Sequence, residues 1–173
     1  MPYWLLFYHL TWDTRNRQPL LTGEAAPVVV GLVRERARKA GATVFAANSH
    51  LDHVHLVVSI PPKLSVAGFV GQVKSGSSAA YNRRYARNGG RFGWHEDYGV
   101  LSVDRRHLPN LIAYVERQPE HHATGATIPV LETAAGGAAQ VIRYSGNQYY
   151  IENPAWRAEM LALDTQIFPS PDA

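Results

Sequence analysis

Thr43-Val-Phe-Ala-Ala-Asn-Ser-His-Leu-Asp-His-Val-His-Leu-Val-Val-Ser-Ile60 is the stretch from which the fold is read. Two apolar runs, Thr43 to Ala47 and His53 to Ile60, flank a short polar turn at Asn48 to Asp52, the pattern of a β-hairpin. Successive side chains of a strand point to opposite faces, so His53 and His55 share one face while Val54, Leu56 and Val58 share the other. Two imidazoles then converge on one point. Such a pair can bind a divalent metal in a site still short of ligands, which leaves room for a substrate oxygen. The competing reading, two polar residues on the wetter face of a half-buried strand, is the commoner one for an isolated H-x-H, so the motif must be weighed against its surroundings.

Working outward, Tyr3 to Trp12 is aromatic and apolar and reads as a first strand. Glu24 to Ala40 carries Val28, Val29, Leu32, Val33 and Arg36 at helical spacing, with Gly41 as a stop. Pro61 and Pro62 end the hairpin, and Val66 to Tyr85 reads as a second helix closed by Asn88-Gly89-Gly90. Tyr98 to Val103 is a short strand and Leu108 to Gln118 a helix, with Pro119 favouring a frayed end at Gln118. The order βαββαβα predicts an α+β, ferredoxin-like fold, an antiparallel sheet with its helices mainly on one face.

The 173 residues, 46% of them hydrophobic, suit one principal domain. That domain is expected over residues 1–131, with 132–173 as a linker and tail: Glu132 to Gln140 is rich in Ala and Gly, Val141 to Ile151 reads as a possible strand, and Ala155 to Leu163 as a short helix. The absence of cysteine excludes disulfides, thiolate nucleophiles and Cys-ligated zinc. No signal peptide or membrane-spanning run is evident, so a cytoplasmic protein without membrane contact is expected.

Charge is unevenly spread. Lys63 to Arg106 holds eight basic residues against three acidic ones, a local charge of +5, interleaved with Tyr81, Tyr85, Phe92, Trp94 and Tyr98. Basic groups among aromatics suit a phosphate backbone and unstacked bases, and Lys74, Arg83, Arg84 and Arg87 are the candidate contacts; a solvated helix face with core aromatics is the alternative. On the last predicted helix, Tyr114 and Gln118 stand four residues apart and face one side. A tyrosine is a weak nucleophile at its usual pKa of about 10, but a metal that polarises a phosphate makes it competent to attack phosphorus. The amide oxygen of Gln118 could complete a shell begun by His53 and His55, with His121 and His122 as further candidates and His50 as a turn residue; by spacing alone, Tyr114 is equally a packed aromatic.

Tyr8-His-Leu-Thr-Trp12, Asp52-His-Val-His-Leu56, Lys74-Ser-Gly-Ser-Ser78, Trp94, Tyr98-Gly-Val-Leu-Ser-Val103, Ala113-Tyr-Val-Glu-Arg-Gln118 and His121-His122, in this order, resemble the single-tyrosine HUH transposases of small bacterial insertion sequences, including the REP-associated tyrosine transposases. The resemblance implies a metal-dependent endonuclease and strand transferase acting on single-stranded, hairpin-forming DNA. His53, His55 and Gln118 would hold magnesium or manganese, and Tyr114 would form a 5′-phosphotyrosyl intermediate and leave a 3′-hydroxyl. It also implies a homodimer. The alternative is a non-catalytic single-stranded DNA- or RNA-binding module of the same fold. A histidine-triad hydrolase fits poorly, because Val57 stands where a third alternating histidine would be needed.

Overall fold

Strand pairing begins at Phe7, where the first strand turns inward. The structure is a computed structural model describing residues 3–86 and 90–134, with helical residues also at 158, 161–162 and 165–166. Four strands, β1 (Phe7–Asp13), β2 (Thr43–Ser49), β3 (His53–Ser59) and β4 (Gly99–Val103), form an antiparallel sheet in the order β2-β3-β1-β4. With α1 (Ala25–Lys39) after β1 and α2 (Val66–Tyr85) after β3, this is the ferredoxin-like α+β arrangement expected from the sequence. Among the described residues up to 134, three short helices follow β4: α3 (Leu108–Glu116), α4 (Gln118–Thr124) and α5 (Pro129–Glu132).

Both long helices lie on one face. There Leu10, Trp12, Val54, Leu56 and Val58 from the central strands meet Val29 and Val33 of α1 and Phe69, Val70 and Val73 of α2. The Ser65 hydroxyl caps α2 by accepting from the Gly68 amide at 3.1 Å. The opposite face is covered by α3 and α5, whose Leu108, Leu111, Val115 and Leu131 pack on Val57, Phe45, Phe7 and Leu101. With helices above and below, every residue of β3 from His53 to Val58 is buried. The histidine face is therefore not the wet side of a half-covered sheet.

Three element boundaries differ from expectation for identifiable reasons. Tyr3 to Leu6 is apolar but exposed and pairs with no strand among the described residues, because β1 meets β4 only from Phe7 opposite Val103. The helix expected to run from Leu108 to Gln118 stops at Glu116, and Arg117 leaves helical geometry at φ −96° and ψ 19°. Pro119 has no N–H to give to the carbonyl four residues back, so the first helix ends and a new one begins at Gln118 with Pro119 in its first turn. Glu132, expected to open a flexible linker, instead closes α5. The strand expected at Val141 to Ile151 lies outside the described residues, as does most of the helix expected at Ala155 to Leu163. No helix among the described residues is long and apolar enough to cross a membrane.

Candidate active site

The site is built on the register of the two central strands. In the β1–β3 ladder Asp13 stands opposite His53 and Thr11 opposite His55, and the pleat puts His9 on the same face. A polar patch thus replaces the apolar face that a buried sheet normally carries. The His53 and His55 ring centres are 5.1 Å apart.

Each histidine is oriented from behind. The Asp52 carboxylate contacts His53 Nδ1 at 2.7 Å and is held in turn by the Arg17 Nε–H at 3.0 Å. Arg17 reaches it from a 3-10 turn at Arg15–Arg17 in which its own φ is 52°, a left-handed conformation that costs a non-glycine residue about 1 kcal/mol. His9 Nε2 lies 2.9 Å from His55 Nδ1, both rings fully buried. Both partners engage Nδ1 and leave Nε2 facing the site, the arrangement that fixes a metal-binding imidazole.

From the other side, α3, α4 and α5 bring four more groups. Tyr114 OH donates to Glu132 Oε1 at 2.6 Å and accepts from the Ile128 amide at 3.0 Å. Glu132 Oε2 lies 3.0 Å from His53 Nε2, 3.2 Å from His55 Nε2 and 3.2 Å from His122 Nε2. The Gln118 amide nitrogen is 2.8 Å from both His55 Nε2 and His122 Nε2. Around this core His50 stacks on His122 at 3.8 Å and His121 on Tyr114 at 4.5 Å.

The electrostatics follow from burial and pairing. Burial lowers the pKa of His55 and, well below the usual value, that of His9, keeping both neutral. Burial acts on His53 in the same direction, but hydrogen bonds to Glu132 and Asp52 outweigh it and hold its pKa above the ordinary value. Against the cost of its own burial, the contacts of Glu132 with His53, His55 and Tyr114 pull its carboxyl far below the usual range. Burial and the neighbouring carboxylate push the Tyr114 phenol well above its usual pKa, so it is protonated as it stands.

The donor set fits a divalent metal. Gln118 is fully buried, yet its amide oxygen has no hydrogen-bond partner among the described residues, while its nitrogen occupies the cluster. A half-turn of the amide would place that oxygen among the histidine nitrogens, where an ion could take it up, in exchange for the N–H contacts with Glu132. Among the described residues His53, His122 and Glu132 also form a group able to hold one ion, with ligand atoms all within 4.8 Å of one another.

The profile of the family described as "Transposase IS200 like" matches residues 2–118, from the first strand through Gln118. The chain belongs to the IS200-like transposase family. Among curated members, the ISDra2 transposase TnpA of Deinococcus radiodurans is 30% identical over 117 residues, 65% of this chain and 84% of that protein. The IS200 transposase of Salmonella typhimurium is 26% identical over 133 residues, 73% of this chain and 86% of that one. Among solved structures, a transposase candidate from D. radiodurans R1 superposes with a TM-score of 0.55 at 26% identity, covering 68% of this chain and 95% of its own. A REP-associated tyrosine transposase bound to a REP hairpin shares the fold, with a TM-score of 0.51 at 14% identity over 86% of this chain and 96% of its own.

In this IS200-like transposase the sequence-derived residues His53, His55, Tyr114 and Gln118 come together around Glu132. The basic candidates do not join them. Lys74 is buried, and its ammonium donates to the Glu96 and Asp97 carbonyls at 2.9 Å each, pinning the 91–98 segment to α2 rather than offering a charge to solvent. Arg83 and Arg84 are exposed at the end of α2, and Arg87 lies outside the described residues. Beside them a cleft of about 550 Å³ between α2 and the 91–98 segment is lined by Arg15, Ser78, Asn82, Arg91 and Trp94.

Sequence reasoning missed His9, Asp52 and Glu132 as parts of the site. The alternation of His9, Thr11 and Asp13 with Leu10 and Trp12 was a signal for the first; Glu132 meets His53 across 79 residues of chain, beyond any local pattern.

Proposed function

We propose that this transposase is a metal-dependent single-stranded DNA endonuclease and strand transferase that works through a 5′-phosphotyrosine at Tyr114. The observation that carries this reading is the meeting of the Tyr114 hydroxyl with the Nε2 atoms of His53 and His55 and the Gln118 amide around one carboxylate, all within hydrogen-bond distance. A nucleophile and a candidate metal site so placed can address the same phosphate.

His53, His55 and Gln118 would hold the ion, magnesium or manganese, with Asp52 and His9 fixing the two imidazoles. When bound, a divalent ion supplies Lewis-acid stabilisation of the charge that grows on the scissile phosphate. The Ile128 amide and Glu132 hold the phenol in place. The Tyr114 oxygen forms a bond to phosphorus as the bond to the 3′ oxygen breaks, and the phenol proton is passed on to the departing 3′-hydroxyl. Because the phosphodiester energy is kept in the tyrosyl link, a second 3′-hydroxyl can displace Tyr114 and rejoin the strand without ATP.

The exposed Arg83 and Arg84, together with Arg87, are proposed to contact the DNA backbone. Lys74 is proposed to act there indirectly, by holding the loop that walls the cleft beside them. A hairpin substrate and a homodimer are proposed from the family. The non-catalytic binding module is less well supported, because such platforms stack bases on exposed central strands, whereas β1 and β3 are covered on both faces.

The test mixes the full chain with labelled single-stranded oligonucleotides from the DNA flanking its gene, with manganese, magnesium or a chelator. A labelled covalent adduct on a denaturing gel that needs metal and disappears in Tyr114→Phe is expected. Binding without cleavage under every condition would favour the non-catalytic module instead.

A further inference from the structure

We propose that His122 and Glu132 are ligands of the same metal as His53 and His55, and that Glu132 uses its other oxygen to hold the Tyr114 hydroxyl against that centre. This rests on the reading above, that the site holds a divalent ion, and extends it to two residues beyond the Gln118 at which the family match ends.

Spacing is the first argument. Glu132 Oε2 stands 3.0–3.2 Å from the Nε2 atoms of His53, His55 and His122. Atoms bound to one ion at about 2.1 Å and at right angles to each other stand roughly 3 Å apart, so these contacts have the separation of neighbouring ligands.

The second argument is chemical. Asp52 and His9 take up the Nδ1 atoms of His53 and His55, so what faces Glu132 is the ring nitrogen available for a ligand. Three imidazole nitrogens and a carboxylate oxygen converge on one point, a set of atoms that a divalent cation can bind together once the proton shared by His53 and Glu132 is released. Among the described residues the Gln118 amide and the Tyr114 hydroxyl are the neutral donors of the cluster.

The third is architectural. Glu132 is not carried on a loose tail: Leu131 before it is buried at 1% exposure, and the Thr133 carbonyl after it passes so close to Gly99 that a Cβ there would collide with it. The missing side chain at Gly99 lets α5 lie tightly across the edge strand, and this fixes where Glu132 enters the site.

The ligand set has a consequence for the ion. Magnesium favours oxygen ligands and retains its waters, whereas three imidazoles beside the Glu132 carboxylate and the Gln118 amide suit first-row transition ions, manganese included, better than magnesium. This chain is thus assigned a transition-metal site rather than a magnesium site.

The experiment titrates metal-stripped full-length protein with Mn²⁺, following free Mn²⁺ by electron paramagnetic resonance, for wild type, Glu132→Gln, His122→Asn and Gln118→Ala. Thermal unfolding of each metal-free variant checks that it is folded, and the two ligand variants test the assignment independently. Mn²⁺ is expected to bind wild type with Mg²⁺ a poor competitor, and each of Glu132→Gln and His122→Asn is expected to weaken it by about tenfold or more. Mn²⁺ affinity equal to or tighter than wild type in folded Glu132→Gln would overturn the proposal, since a carboxylate that merely fills the metal's place would bind the ion better once neutralised. So would wild type that binds no Mn²⁺. Adduct formation, scored separately, keeps the two readings apart: Glu132-dependent binding without an adduct sinks the proposed reaction alone, and a metal-dependent adduct with unchanged affinities in the ligand variants sinks this inference alone.

Discussion

Neutralising Asp52 should weaken metal binding by an amount that the geometry sets. One carboxylate oxygen contacts His53 Nδ1 at 2.7 Å and the other accepts from Arg17 Nε at 3.0 Å, with the Asp52 side chain only 19% exposed. Hydrogen bonds to a charged group contribute about 1.5–3 kcal/mol and neutral ones about 0.5–1.5 kcal/mol. Asp52→Asn keeps an acceptor for His53 but turns a donor toward Arg17, so about 1–1.5 kcal/mol of the ligand's orientation and basicity is lost. That is close to a tenfold loss of affinity, at about 1.4 kcal/mol per decade. Asp52→Ala leaves Nδ1 unpaired and should approach a hundredfold. Isothermal titration of the metal-stripped protein with Mn²⁺ reads the series directly. Equal affinity in wild type, Asn and Ala would refute the reasoning, because His53 would then need no support behind it.

Leu111→Ala, on the buried face of the helix that also carries Tyr114 and 2% exposed, should cost about 2–5 kcal/mol in denaturant unfolding; a cost under 1 kcal/mol would mean that α3 is not anchored by its apolar face. Replacing exposed Arg83 and Arg84 together by Ala should weaken single-stranded DNA binding and reduce its salt slope by about 0.7 per lost phosphate contact, leaving the unfolding midpoint unchanged; an unaltered slope would remove them from the interface. Stability of the metal-free protein should fall with pH below about 6.5. His9 and His55 are kept neutral in the fold by burial, with pKa values below the unfolded one, so the unfolded chain takes up their protons first and gains on acidification. His50 is lowered in the same way by burial and the neighbouring His122, so His53, with its raised pKa, opposes this as one group against three. Melting temperature followed from pH 8 to pH 5 should drop, and drop less in His9→Gln; a rise on acidification would contradict the assignment.

The hairpin and its two histidines were legible because both β-sheet signals, alternation and a polar turn, are local, and α2 begins and ends at the expected residues. Tyr114 and Gln118 were legible as a pair by helical spacing, and they meet at Glu132 even though the backbone breaks between them at Arg117. Apolar content misled at Tyr3 to Leu6, where no strand among the described residues pairs with the chain, because hydrophobicity alone does not supply a hydrogen-bonding neighbour. Basic charge misled at Lys74, where a long side chain serves two carbonyls inside the fold. Glu132 was hidden by composition, since the Ala- and Gly-rich run behind it dominates the local reading while its partners lie far away in sequence. What could not be read was long-range convergence on one carboxylate.

Tyr114 is proposed as the nucleophile. Digesting the trapped protein–DNA adduct and locating the nucleotide-bearing peptide by mass spectrometry tests it most directly, because the chain also offers Tyr144, Tyr149 and Tyr150. A phosphodiester on Tyr114, joined to the 5′ end of the cleaved strand, is expected, with no adduct in Tyr114→Phe. A nucleotide on any other tyrosine, or an adduct that persists in Tyr114→Phe, would contradict it.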